Sequence, residues 1–212
     1  STPAWSANQT IPFSFSFNGT AETSYKVSST GVLTFSTAAT SVPARFQKAT
    51  LPDANIPDKS VCVWGIEASG SNDYALSKTF GTAPNRQHWV FFSSHALGGS
   101  GWSYWSIVLE ETTNNIYIVD QRHSGTTGGV SMGIQINSTT AASVGFNVLP
   151  LAGTDPSASD NSYYEFIQGT RPANDVEMVS LQFSKVFAGQ PNAINGTIRN
   201  AGSAPLLSYT LS

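Results

Sequence analysis

The chain has 212 residues, enough for one large domain or one domain and part of a second, and a formal net charge of −3 with no basic run. That balance lacks the electrostatic footprint of nucleic-acid binding. Charged residues make up only 11%, against a usual share of about a quarter, and Ser, Thr, Asn and Gly fill the polar positions instead, as secreted β-proteins often do.

No apolar stretch approaches the roughly 18 residues of a membrane span. The chain starts at Ser1 without a signal peptide, so a removed leader or a trimmed chain is expected. The lone cysteine, Cys62, allows no intrachain disulfide. It sits in the apolar run Val61-Cys62-Val63-Trp64 and reads as a small buried hydrophobe.

Ser1 to Thr10 is polar, with Trp5 as an anchor. In Ile11 to Phe17, Ile11, Phe13, Phe15 and Phe17 alternate with Pro12, Ser14 and Ser16. Period two puts the four large apolar side chains on one face of a strand. Asn18-Gly19 is a strong hairpin-turn signal. Tyr25 and Val27 resume the alternation, Ser28 to Gly31 turns the chain, and Leu33 and Phe35 continue it. The result is three antiparallel strands with one buried face, on which a second sheet packs.

Ala38 to Lys59 carries Pro43, Pro52 and Pro57 and predicts a long loop crossing between sheets, with room for a helical turn. Val61 to Ile66 predicts a strand, Ala68 to Ala75 a loop, and Leu76 to Phe80 a short strand. Arg86 to Ser94 predicts a central strand covered on both sides, because Trp89 and Phe91 lie on one face and Val90 and Phe92 on the other. Trp102 to Glu111 and Ile116 to Val119 flank the turn Thr113-Asn114-Asn115. Val130 to Ile136 and Tyr163 to Gln168 complete the first domain, predicted over residues 1–170. Residues 171–175 read as a linker, followed by strands at Val176 to Phe183, Asn192 to Asn200 and Leu206 to Leu211.

Several of these stretches carry a resemblance. Pro12-Phe13, Phe15, Phe17-Asn18-Gly19 and Tyr25 to Phe35, then Thr79 to Arg86, Ser106 to Thr112 and Ser131 to Gln135, resemble the nidogen-like β-sandwich domains of Bacteroidetes-type secreted surface and adhesin proteins. Thr30 stands where that family usually has Asn before the Gly, and Thr does not tolerate the positive φ of a two-residue type I′ turn. Residues 176–212 resemble the first strands of an immunoglobulin-like, CARDB-type repeat. Such a domain needs about seven strands and ~100 residues, so the chain reads as the start of a longer protein. The resemblance implies an all-β antiparallel sandwich (jelly-roll, nidogen-like) at a bacterial cell surface, exported as a type IX secretion substrate.

No catalytic constellation is present: no G-x-S-x-G elbow, no H-E-x-x-H helix and no Walker loop. His88, His95 and His123 lack metal-ligand spacing. Glu110 and Glu111, adjacent on one strand, are expected on opposite faces and so not as a glycosidase pair. Asp155, Asp160, Asn161 and Asp175 lie in polar loops that would suit calcium, but no D-x-D-x-D-G pattern holds them, and no cofactor is read. The binding candidates are Trp102, Tyr104 and Trp105 after a glycine-rich tract, although Trp105 alternates inward with Ile107. Sequons at Asn8, Asn18, Asn137 and Asn195 are uninformative in a chain so rich in Asn, Ser and Thr.

The expected function is a non-catalytic extracellular structural or adhesion module, with surface or envelope proteins or glycans as partners. The alternatives are a carbohydrate-binding module using exposed aromatics, an accessory domain of a secreted hydrolase or of an envelope complex, and an enzyme with an unrecognised site.

Overall fold

The computed structural model describes residues 2–98, 101–124, 129–148, 162–169, 173, 175–183, 194–200, 202, 204, 205, 207 and 208. All regular structure there is β-strand, paired antiparallel, and no helix is long and apolar enough to cross a membrane. The chain divides into two compact units, Ser1–Gln168 and Gly169–Ser212.

The first unit is a sandwich. One sheet runs β1 (Gln9–Phe17), β2 (Thr20–Val27), β3 (Val32–Thr34), β4 (Ser60–Trp64), β10 (Val130–Asn137) and β11 (Thr140–Val148). The other runs β12 (Ser162–Phe166), β9 (Ile116–His123), β8 (Gly101–Glu110), β7 (Gln87–Leu97) and β5 (Ile66–Glu67), with β6 (Tyr74–Phe80) also on β7. The alternating residues of β1 meet Val90, Phe92, Trp105, Ile107, Leu109 and Ile118 of the facing sheet in one core. A hydrogen bond spans the layers, with the Tyr25 hydroxyl 2.8 Å from His88 Nε2.

Turn chemistry explains the first hairpins. Asn18 (φ 48°) and Gly19 (φ 76°) form the two-residue turn that Asn-Gly favours. The next connection is a three-residue loop from Ser28 to Val32. Only Gly31 (φ 88°) takes positive φ there, so Thr30 needs none. Thr30 is instead buried with its hydroxyl 2.9 Å from that of Ser28, whose oxygen also accepts from Val32 N. The departure at Thr30 thus belongs to a different turn.

Three expectations are corrected, and one strand was missed. The strand predicted from Val61 to Ile66 is two strands: the chain passes from the first sheet to the second at Gly65, whose φ of 133° favours glycine. The loop from Ala38 to Lys59 does not cross between sheets, because β3 and β4 pair directly through Thr34 and Ser60. It roofs the outer face of the first sheet, where Leu51 and Ile56 cover Val32, Cys62 and Trp64. Outward-facing residues staple it down: Ser131 Oγ donates to Ala49 O, and Gln135 Nε2 to Ile56 O. β7 is central but has no second layer over its outer face among the described residues, and Trp89 and Phe91 there are half-buried. Finally, β11 was not foreseen; it is an edge strand with Phe146 exposed, Val144 and Val148 packed on the core between the sheets and Ala141 on the cluster beneath the loop.

Trp5 does anchor the N-terminus, bridging to Ser28 and donating from Nε1 to Ser41 O. In the second unit, β13 (Val176–Phe183) and β14 (Ile194–Asn200) pair as a two-stranded sheet. Within the third strand expected at Leu206 to Leu211, only Leu207 and Ser208 are described, and neither is in a strand.

Candidate functional site

The uncovered outer face of the second sheet is built by cross-strand rows, since residues directly opposite one another share a face. One row runs Lys78, Trp89, Val108, Tyr117 and Glu165; the next runs Leu76, Phe91, Ser106, Val119 and Tyr163. Tyr74, Leu76, Phe80 and Tyr163 are about half exposed or more, at 49%, 53%, 49% and 63%. Their neighbours interlock: Phe80 meets Trp89 edge to face, Phe91 stacks on Tyr104 with centroids 5.9 Å apart, and Tyr117 tilts against Tyr163. The exposed side chains lie on β6 and β12 at the two edges of this face, while Ser106, Val108 and Val119 between them are buried.

Polar side chains hold this layer in place. Trp89 Nε1 donates to Gln87 Oε1, Gln87 Nε2 to Glu110 Oε1, and Thr113 Oγ1 to Glu110 Oε2. The Tyr117 hydroxyl lies 3.2 Å from Glu110 Oε2 and 3.0 Å from Glu165 Oε1, and Asn115 Nδ2 donates to Glu165. Burial, then the carboxylate contacts, push the Tyr117 phenol up, so it stays a donor. For Glu110, desolvation opposes ionisation, but donors from Thr113, Gln87 and Tyr117 outweigh it and leave the carboxyl below its ordinary value.

At the Phe80 end the face dips into a shallow depression of about 240 Å³, lined by Phe80, Gly81, Asn85, Gln87, Glu110, Glu111 and Thr113. Contrary to the expectation from strand parity, Glu110 and Glu111 both border it, because β8 ends at Glu110 and Glu111 belongs to the turn. Arg86 grips Glu111 with two side-chain bonds, at 2.8 and 2.6 Å, and its hydrogen bonds hold that carboxyl below the usual range. Both carboxyls are thus held towards the ionised form.

The predicted binding residues separate. Trp105 is fully buried beside Ile107 and Leu109 in the core and offers nothing to a ligand, which corrects its place among the candidates. Trp102 and Tyr104 are half-buried on the outer face, edge to face at 5.5 Å, with the Arg122 guanidinium 5.0 Å from the Trp102 ring. Arg122 and Phe91 thus lie against rings that the sequence left free. Of the calcium candidates, Asp175 is exposed in the second unit, while Asp155, Asp160 and Asn161 lie outside the described residues. No group of three His, Cys, Asp or Glu side chains placed to hold a metal is found among the described residues.

Sequence reasoning missed an inward-facing cluster. His95, Ser103 and His123 share one row across β7, β8 and β9. His123 Nδ1 lies 3.0 Å from Asp120 Oδ2, with both side chains essentially sealed from solvent. Residues three apart on a regular strand face opposite ways, but a bulge between Tyr104 and Trp105 inserts Gln121 and turns Asp120 and His123 to the same side. The cluster has the residue types of a nucleophile site without its access. Ser103 is fully buried and its hydroxyl donates to His95 O.

A family model for NIDO-related domains matches residues 3–179, most of the chain. The chain belongs to the NIDO-related family. The match covers all twelve strands of the sandwich and reaches β13. No curated protein and no solved structure matches. Family membership supports a nidogen-like module, and the surface chemistry of this NIDO-related chain rests on its own residues.

Proposed function

We propose that this NIDO-related chain is a non-catalytic extracellular structural and adhesion module of a large bacterial surface protein, with the outer face of its second sheet as the contact surface. The observation that supports this reading is the difference between the two outer faces. One is roofed by the loop from Ala38 to Lys59; the other carries half-exposed Tyr74, Leu76, Phe80 and Tyr163. The scarcity of charged residues, at 11%, fits an extracellular setting.

The test uses the full-length parent protein in the cells that make it. Antibody against this unit should label intact cells. A Leu76→Glu, Tyr163→Glu pair should weaken attachment to surfaces or partner cells while leaving the fold intact by circular dichroism. Labelling only after lysis, or attachment unchanged by the pair, would end the proposal.

A second reading, a carbohydrate-binding module in its own right or as an accessory to a secreted hydrolase, is favoured by the depression that joins Phe80 to fixed polar groups.

A further inference from the structure

We infer that the depression beside Phe80 is a subsite for one neutral hexopyranose unit of a glycan. This rests on the carbohydrate-binding reading and deepens it. Its volume, about 240 Å³, is below the roughly 300–1,000 Å³ of pockets for drug-sized ligands, so it suits a single small ring. One wall is the half-exposed Phe80 ring, which has Lys78 Nζ on one side, 5.2 Å from its centroid; an aromatic π-face attracts the weakly positive C–H face of a sugar. The rest is polar and held in position before any ligand arrives: Glu110 by Thr113, Gln87 and Tyr117, and Glu111 by Arg86.

Charge narrows the choice. Glu110, whose donors are all uncharged, keeps its negative charge and repels an anionic ligand. A divalent cation fits poorly, because Arg86 already neutralises Glu111 and calcium requires six to eight oxygens. An apolar ligand would strip water from carboxylates and amides without replacing their hydrogen bonds. A neutral polyol meets each condition, since its hydroxyls donate to Glu110 and Glu111 and exchange bonds in either sense with the Gln87 and Asn85 amides. Trp89, edge to face with Phe80, extends the aromatic surface by one ring beyond the depression.

The experiment titrates the whole chain with cello-, xylo-, malto-, laminari- and chitohexaose, and with an oligogalacturonate as the acidic comparison. Calorimetry and tryptophan fluorescence provide the readouts. At least one neutral hexasaccharide should bind, more tightly than the acidic one. Phe80→Ala should weaken it about tenfold, as the loss of one aromatic contact implies, and Phe80→Trp should restore it. Glu110→Gln should also weaken it, while Phe146→Ser, on the exposed edge of the other sheet, should not. Thermal melts of each variant confirm folding. Absence of binding to every neutral hexasaccharide, equal affinity in Phe80→Ala, or preference for the acidic oligomer would overturn the subsite. Cell labelling and the Leu76→Glu, Tyr163→Glu attachment assay read the adhesion role separately, so the two can fail independently.

Discussion

Burial holds His88 and His95 below the ordinary imidazole range, because a charged ring would lose its hydration among apolar neighbours. Tyr25 and Thr79 flank the first ring; Ser93 O and the charge of Asp73 act on the second without reversing the shift. The unfolded chain then binds more protons than the folded one just below the free value of about 6.5. This stabilising contribution is complete above that value and is lost as pH falls towards the depressed folded values. The melting temperature should therefore fall between pH 7.5 and 5, before the lowered Glu110 and Glu111 begin to titrate; a flat profile over that range would refute the assignment. The two turn glycines allow a second check. Gly31→Ala should cost more than Gly19→Ala, because an added Cβ at Gly31 would lie 2.3 Å from Val63 O while nothing lies within 4 Å at Gly19. At Gly19 the cost is the left-handed backbone alone, about 1–2 kcal/mol. Denaturant melts of the two variants decide it.

Among the elements, the loop from Ala38 to Lys59 makes the sharpest prediction. Leu51→Ala should destabilise the sandwich by about 2–5 kcal/mol, as buried Leu-to-Ala changes do. It should also expose Cys62, whose thiol is held up first by burial and then by the charge of Asp53. Native protein should react negligibly with a thiol reagent and the variant measurably; equal rates would mean that the loop is no roof. This element also shows where the sequence could be read and where it could not. The alternation of Ile11, Phe13, Phe15 and Phe17 and the Asn18-Gly19 turn are local signals, and the structure follows them. Gly65 gave no sign that a run of apolar residues changes sheets there, because both halves are buried and period two cannot distinguish which layer a strand joins. β11 escaped notice for the opposite reason: an edge strand with Phe146 outward and Ala, Ser and Gly at other positions has almost no alternation. At the candidate site, parity misled where β8 ends between Glu110 and Glu111, and the bulge at Gln121 left no sign in the sequence. The aromatic face was partly visible in Trp89, Phe91, Trp102 and Tyr104. Its extension onto β6 and β12 needed the pairing of distant strands.

On the scale of the whole molecule, Ser1–Gln168 holds both sheets and the core between them, and among the described residues β13 pairs only with β14. A chain ending at Gln168 should therefore fold alone and melt cooperatively within a few degrees of the 212-residue chain; loss of the cooperative transition would show that the second unit is required. Where the chain enters and leaves this unit has its own consequence. Gln9 pairs with Tyr25 at one end of β1, whereas Gln168 Nε2 donates to Ser16 O near the other, and to Asn114 O. The seven residue steps from Gln9 to Ser16 put about 23 Å between these points. Mechanical tension applied between entry and exit would run parallel to β1, loading the rungs it shares with β2 together rather than unzipping them singly, so resistance to pulling is built into the direction of the first strand.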